Sequence, residues 1–237
     1  MSNEGVTAVE RAMAVLDCFQ LDADRLSLAD FAARLPLHKT TIYRLLNSLV
    51  RTRYVVRHAD GRYSPGPRVL YLGRVYERSF KLSEVVVPHL RELSRETGET
   101  ASYYVKSEQQ RLCLFRIQPQ EGVHDQLVPG SLLPFDDSAT GQVFHVWVVG
   151  DRSLETPAGL PTYSRGLYNK FTTSWSVPVF GDQDTFIAAL TLSGLAPRIE
   201  PESVRHKARL MARAHAISAA LGASATWCET IYGVVAA

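Results

Sequence analysis

Between His38 and Thr52 the chain carries Lys39, Thr40, Thr41, Tyr43, Arg44, Asn47 and Arg51 interleaved with Ile42, Leu45, Leu46 and Leu49. At about 100° per residue, Arg51, Arg44, Tyr43 and Asn47 fall within about 60° of Thr40 on a helical wheel. The four apolar residues take the opposite side, and Thr41 flanks them. Such a polar face offers guanidinium, amide, phenol and hydroxyl groups, the side chains that reach base edges and phosphates in a major groove. An ordinary surface helix usually carries Glu and Asp as well, but no acid stands between Asp30 and Asp60.

The charge distribution points the same way. The formal net charge is only +2, yet the ten Lys and Arg residues from Arg34 to Arg78 face only Asp60 and Glu77. A compact basic block inside a nearly neutral chain suggests a local polyanion contact. The alternative reading of the block alone is a solvated charged face.

The elements that would present this helix are legible around it. Val9, Ala12, Met13, Leu16 and Phe19 recur at helical spacing and predict a helix over about residues 6–19. Ser27 followed by Asp30 resembles a capping box, and Leu28, Phe31, Ala32 and Leu35 follow as a short helix that Pro36 stops. Beyond the polar-faced helix, Tyr54–Arg57 and Arg62–Ser64 flank the turn Ala59-Asp60-Gly61 and predict a hairpin. Together these make a winged helix-turn-helix, in which the second paired helix enters the major groove and the first braces the backbone. The hairpin would carry Arg62 to phosphate or minor groove. The candidate DNA-contacting residues are Ser27, Lys39, Thr40, Thr41, Tyr43, Arg44, Asn47 and Arg62.

At 237 residues and 26.3 kDa, with 46% hydrophobic and 21% charged residues, the chain has material for one large or two ordinary globular domains. Disorder, a collagen-like rod and a chain-long coiled coil are excluded. No apolar run approaches the roughly 20 residues that cross a bilayer, and Glu4 and Glu10 stand where a signal peptide would be basic and apolar. Cys18, Cys113 and Cys228 are scattered and odd in number, which argues against a disulfide framework. A cytoplasmic protein without a membrane partner is expected.

In the second half, Leu82–Glu96 reads as a helix ended by Thr97-Gly98, and Ser102–Val105 and Leu112–Ile117 read as strands, with Leu127–Val128 a weaker candidate. Leu132–Phe135 leads to a helix at Ser138; Ser176–Phe180 and Phe186–Ser193 are strands, and Val204–Leu221 is a helix. About five strands with helices packed on them fit an α/β or α+β layer architecture.

The segments VERAMAVLDCF, LSLADFAARLPLHKTTIYRLLNSLVRTRYV and GRYSPGPRVLYLG resemble the DNA-binding half of IclR-type transcriptional regulators. KTTIYRLLNSLV is similar to the family pattern Ser/Thr-Thr-x-x-Arg-Leu-Leu followed by an apolar pair. LVPGSLLPFDDSATGQVF, SVPVF and FIAALTLSGLAPRI resemble stretches of its second domain, so the likeness runs from about residue 6 to 222. The resemblance implies an α+β protein: a winged helix-turn-helix domain over 1–66, a linker helix over 67–80 and a GAF- or profilin-like effector-binding domain over 81–237, with a central antiparallel sheet flanked by helices. It implies a double-stranded DNA operator and a small-molecule effector as partners. The implied effector site comprises Ala139, Thr140, Gly141, Ser174, Trp175, Thr191 and Ser193. The chain departs from the family where Asp136-Asp137 replaces a common His-Ala, where a helical segment is cut to Gly150–Pro161, and at 168–173. A regulator whose sensor domain has lost its ligand is therefore an alternative.

Within that site, period-2 geometry puts Thr191 and Ser193 on one sheet face. Amides of Ala139, Thr140 and Gly141 at a helix start would seat a carboxylate. Asp136 and Asp137 would repel it, and Arg165 or Lys170 would offset them. An organic acid or an aromatic compound is the expected effector, an aromatic part lying against Trp175 or Tyr103. The plainer reading is that the hydroxyls satisfy nearby backbone in a closed core. No GxGxxG, Walker-type loop, HExxH or Gly-x-Ser-x-Gly is present, so no cofactor, structural metal or hydrolase triad is expected. His124, His145, Asp136 and Asp137 lack ligand spacing. A small-molecule enzyme with a basic accessory arm is disfavoured, because the second half shows no convergent titratable set. Binding as a homodimer or dimer of dimers is expected, with Ala8, Val15, Val69 and Leu72 either at the seam or packed within the domain.

Overall fold

The computed structural model describes residues 5–20, 23–79, 82–119, 127–150, 159–167, 170–196, 198–199 and 203–233. The chain divides into two compact units, Met1–Phe80 and Lys81–Ala237.

The first unit runs α1 (Thr7–Leu16), α2 (Leu28–Arg34), α3 (Lys39–Arg51), β1 (Val55–Arg57), β2 (Tyr63–Pro65) and α4 (Pro67–Ser79). α2 begins at a complete capping box: Asp30 N–H donates to Ser27 Oγ, while Ser27 N–H and O–H donate to the Asp30 carboxylate at 2.7 and 2.8 Å. Its apolar stripe and that of α3 close on one core, in which Val15, Phe31, Ile42 and Leu46 are wholly buried. Phe31 stands edge-on to Phe19 and Tyr63, with ring centroids 5.4 and 6.2 Å away. β1 and β2 pair antiparallel, and Leu26 and Tyr63 exchange backbone hydrogen bonds of 2.9 and 2.8 Å that tie the hairpin to the start of α2.

The second unit is a six-stranded antiparallel sheet in the order β5-β4-β3-β8-β7-β6. Its strands are β3 (Thr100–Ser107), β4 (Gln110–Ile117), β5 (Leu132–Pro134), β6 (Thr162–Arg165), β7 (Thr172–Phe180) and β8 (Phe186–Leu195). Three features differ from expectation: β5 forms where only a lead-in to a helix was expected, β6 has too little apolar alternation to announce itself, and Leu127–Val128 forms no strand. One face packs on α5 (Leu82–Thr97), α7 (Val204–Ala220) and α8 (Ala225–Tyr232), with Leu90, Tyr103, Val177, Leu190 and Leu192 in the core. α5 stops at Gly98, whose φ of +73° is the left-handed conformation that glycine adopts without steric cost. The other face meets α6 (Ala139–Phe144), which continues as a turn of π-helix, His145–Val149, over an apolar cluster of Tyr104, Cys113, Val143, Phe144 and Ala189. No described helix is long and apolar enough to cross a membrane.

Candidate DNA interface and effector site

α3 buries Ile42, Leu46 and Leu49 and leaves Lys39, Thr40, Tyr43 and Arg44 exposed, with Thr41 and Asn47 half-buried. The helix is thus held by one face and free to present the other. Arg62 is exposed on the turn between β1 and β2, which its own backbone N–H steadies by donating to Asp60 Oδ1 at 3.0 Å. Ser27 plays a different part from the others. Its hydroxyl both donates to and accepts from Asp30 in the cap, so it starts α2. The Ser27 N–H and O–H hold the Asp30 carboxyl below its usual range.

Val15 is correspondingly removed from any seam between chains, because it is wholly buried in the core of its own unit. Exposed apolar side chains include Val6 just before α1, Val9 and Met13 on α1, and Val69, Leu70, Leu72 and Val75 on α4; Ala8 is exposed too.

In the second unit the sheet register brings hydroxyls into rows. Ser102 of β3 pairs with Thr191 of β8, Thr191 with Ser176 of β7, and Ser176 with Thr162 of β6. The neighbouring row is Thr100, Ser193, Ser174 and Ser164. Both rows face α6. Thr140 of α6 and Ser176 each lie 2.9 Å from Thr191 Oγ1, and Ser164 and Ser174 share a bond of 3.0 Å. Thr140, Ser174, Thr191 and Ser193 therefore lie on one side of the sheet together with Ser102, Ser176, Thr162 and Ser164. Period-2 spacing from Ser174 reaches Ser176, a signal the sequence held; the cross-strand partners needed the register.

Three expectations are corrected. Trp175 lies on the opposite face with Tyr103, since successive strand residues alternate sides. Its ring packs 4.7 Å from that of Tyr163, and the Lys207 ammonium sits 4.6 Å from it. The α6 amides are not all open donors: Ala139 N–H bonds Ser164 Oγ at 2.8 Å and Gly141 N–H bonds Ser138 Oγ at 3.1 Å. Asp136 is not a bare repelling charge either. Arg111, 1% exposed, bonds both its oxygens at 2.9 and 3.3 Å and the Pro134 carbonyl at 2.6 Å. Asp136 in turn accepts from Ser138 N–H and O–H, so the pair anchors the residue that caps α6. A Cβ on Gly141 would lie 2.0 Å from the Asp136 carbonyl oxygen, so only glycine lets the helix approach this closely. Arg165 is exposed on β6, and the Lys170 ammonium lies 4.9 Å from the Phe171 ring. His145 Nε2 lies 3.1 Å from the Phe135 carbonyl, and His124 falls outside the described residues. No group of three metal-ligating side chains occurs among the described residues.

A winged helix-turn-helix with a cationic, acid-free second helix, followed by a separate sheet unit, defines a DNA-binding transcriptional regulator with an appended domain. Residues 8–59 match the IclR helix-turn-helix domain. The chain is 26% identical to the HTH-type transcriptional regulator XynR of Escherichia coli K12, over 92% of this chain and 98% of that one. Its fold matches the crystal structure of an IclR transcriptional regulator from Alicyclobacillus acidocaldarius with a TM-score of 0.80 at 22% identity, over 92% of this chain and 100% of that one. It also matches an IclR homologue from Microbacterium hydrocarbonoxydans, crystallised with 4-hydroxybenzoate, with a TM-score of 0.73 at 20% identity, over 90% of this chain and 98% of that one. The first unit thus carries a match to the IclR helix-turn-helix domain, and over nearly its whole length the chain is similar to transcriptional regulators.

Proposed function

We propose that the protein binds a specific double-stranded operator through α3 and the β1–β2 wing, and that a small metabolite held in the second unit modulates this binding. The observation that carries the first part is the exposed polar face of α3, where Lys39, Thr40, Tyr43 and Arg44 project while Ile42, Leu46 and Leu49 hold the helix. Thr41 and Asn47 flank that face, and Arg62 adds a charge from the wing. The protein acts in the cytoplasm as a homodimer or a dimer of dimers, so that two recognition helices meet half-sites a whole helical turn apart. The exposed apolar side chains of α1 and α4 supply the seam.

The hydroxyl rows beneath α6 support the ligand-binding part, with Thr140, Thr191, Ser193 and Ser174 as its contacts and the 4-hydroxybenzoate complex of the Microbacterium homologue as precedent. A second reading, a sensor unit without a ligand, draws on the fact that Thr140, Thr191 and Ser176 already satisfy one another. The experiment is selection of operator fragments from genomic DNA, followed by anisotropy titration with and without a panel of small organic acids and aromatics. Sequence-specific binding that a compound weakens or strengthens is expected. Binding with no sequence preference refutes the operator reading; specific binding that no compound alters favours the ligand-free sensor.

A further inference from the structure

The first unit holds two histidines, His38 and His58. His38 is exposed at the N-cap of α3, where its side chain makes no cap bond. His58 is half-buried and follows β1 into the wing turn. Its N–H donates to the Arg62 carbonyl at 2.8 Å, and its own carbonyl accepts from Gly61 N–H at 3.0 Å. Successive side chains of a strand take opposite faces. Val55 and Tyr63 are buried, so Val56, His58, Arg62 and Ser64 share the outer face of the wing. His58 and Arg62 stand opposite each other there. We infer that His58 is a second phosphate contact of the wing, made by its protonated imidazole, so that DNA binding takes up a proton; the inference rests on the operator reading above.

The hydrogen bonds around the ring select the nitrogen that meets the phosphate. His58 Nε2 lies 2.8 Å from Ser64 Oγ, and Ser64 Oγ donates to the Pro65 carbonyl at 3.4 Å. With the Ser64 proton placed there, its oxygen accepts and Nε2 carries the hydrogen. Nδ1 has no partner among the described residues. In a neutral imidazole Nδ1 is then an acceptor, which cannot bond a phosphate oxygen; in the imidazolium both nitrogens donate. Histidine changes charge between about pH 5 and pH 8. The hairpin's own charged groups are Arg57, Asp60 and Arg62, with Arg57 over the Tyr63 ring on the other face. The elements packed against it carry Asp30 and Arg34 on α2, Lys39, Arg44 and Arg51 on α3, and Arg68 on α4. Cations predominate, and Asp60, the hairpin's one carboxylate, accepts the Arg62 N–H through Oδ1. A phosphate held by Arg62 therefore supplies the anion that an imidazolium on the same face bonds through Nδ1.

The test is anisotropy titration of the full chain with the selected operator and with a scrambled duplex, since a phosphate contact carries no sequence information. Titrations run at about pH 6 and about pH 8, and at about 50 to about 200 mM salt. Wild type should bind both duplexes about threefold more tightly per wing at the lower pH, with a salt slope steeper by about 0.9 per wing. Calorimetry in two buffers of different ionisation enthalpy should show proton uptake on binding, and it needs no variant. H58Q should flatten the pH profile on both duplexes. H58K should flatten it too, while binding more tightly than H58Q at about pH 8. H38Q should leave the profile in place. Equal wild-type affinity for the operator at both pH values, with no proton taken up, overturns the inference and leaves the operator reading standing. So does a profile that survives H58Q or that H38Q removes, because the proton then sits elsewhere. If neither duplex is bound at either pH, both readings fall.

Discussion

Replacing Arg111 by Met tests how α6 is held in place. Arg111 is 1% exposed, and its guanidinium hydrogen-bonds both Asp136 oxygens and the Pro134 carbonyl. Breaking a fully buried ion pair costs about 3–5 kcal/mol, because the surviving charge is stranded. Here the survivor would be Asp136, whose side chain is 27% exposed and keeps its bonds from Ser138. Water and Ser138 therefore relieve part of the cost, and about 2–3 kcal/mol is expected. The reverse change, Asp136→Asn, strands a guanidinium with almost no access to water, so it should be the more damaging of the two. The double variant should recover part of the loss, since neither charge then remains. All three tryptophans, Trp147, Trp175 and Trp227, lie in the second unit, so urea unfolding followed by tryptophan fluorescence reports on that unit alone. If Arg111→Met leaves the midpoint unchanged, or Asp136→Asn is the milder change, the anchoring argument is wrong.

The first unit and the ionisable groups give further expectations. Phe31→Ala removes a wholly buried ring from the contact with Phe19 and Tyr63 and should cost about 3–5 kcal/mol. Calorimetry should show one transition fall while the tryptophan-detected one stays. Ser27→Ala should cost about 0.5–2 kcal/mol of stability as a lost cap, but the salt slope of operator binding should not move; a slope reduced by about one would return Ser27 to the phosphate contacts. His89 and His206 have their pKa values lowered, in each case chiefly by burial. Each therefore contributes stability above its unfolded value that is lost as pH falls through the folded one. Burial, only partly offset by Arg198, raises Glu99, whose contribution is present at low pH and lost as pH rises through its folded value. On acidification from about pH 7.5 to about pH 5.5 the histidines should lower the second unit's midpoint, and His89→Gln should flatten that slope; an unchanged slope would refute the assignment.

The DNA-binding half was legible because its signals are local. The capping box at Ser27, the proline stop at Pro36 and the two-faced α3 each depend on residues within a turn or two of one another, and α3 spans Lys39–Arg51 as its wheel suggests. The second unit depends on pairings far apart in sequence. Arg116 meets Ser102, and Arg111 meets Asp136, only once β3, β4 and β5 are in register. Nothing within ten residues of Asp136 announces a buried cation. Trp175 was misplaced for a simpler reason: it follows Ser174 in a strand, and alternation alone puts the two on opposite faces. Val15 was ambiguous on the wheel of α1 because apolar residues occupy both of its sides, Val9 and Met13 exposed and Val15 buried.

The central claim is that α3 reads an operator, and Arg44 tests it most directly. Its side chain is exposed, so Arg44→Ala should change stability by no more than about 0.5 kcal/mol. Anisotropy titrations of the selected operator and of a scrambled duplex, at salt from about 50 to about 200 mM, should show operator affinity falling by about 1–3 kcal/mol per recognition helix, with much less change on the scrambled duplex. Equal losses on both duplexes would mean that Arg44 touches only phosphate. A folded Arg44→Ala variant with wild-type affinity for the operator would contradict the account.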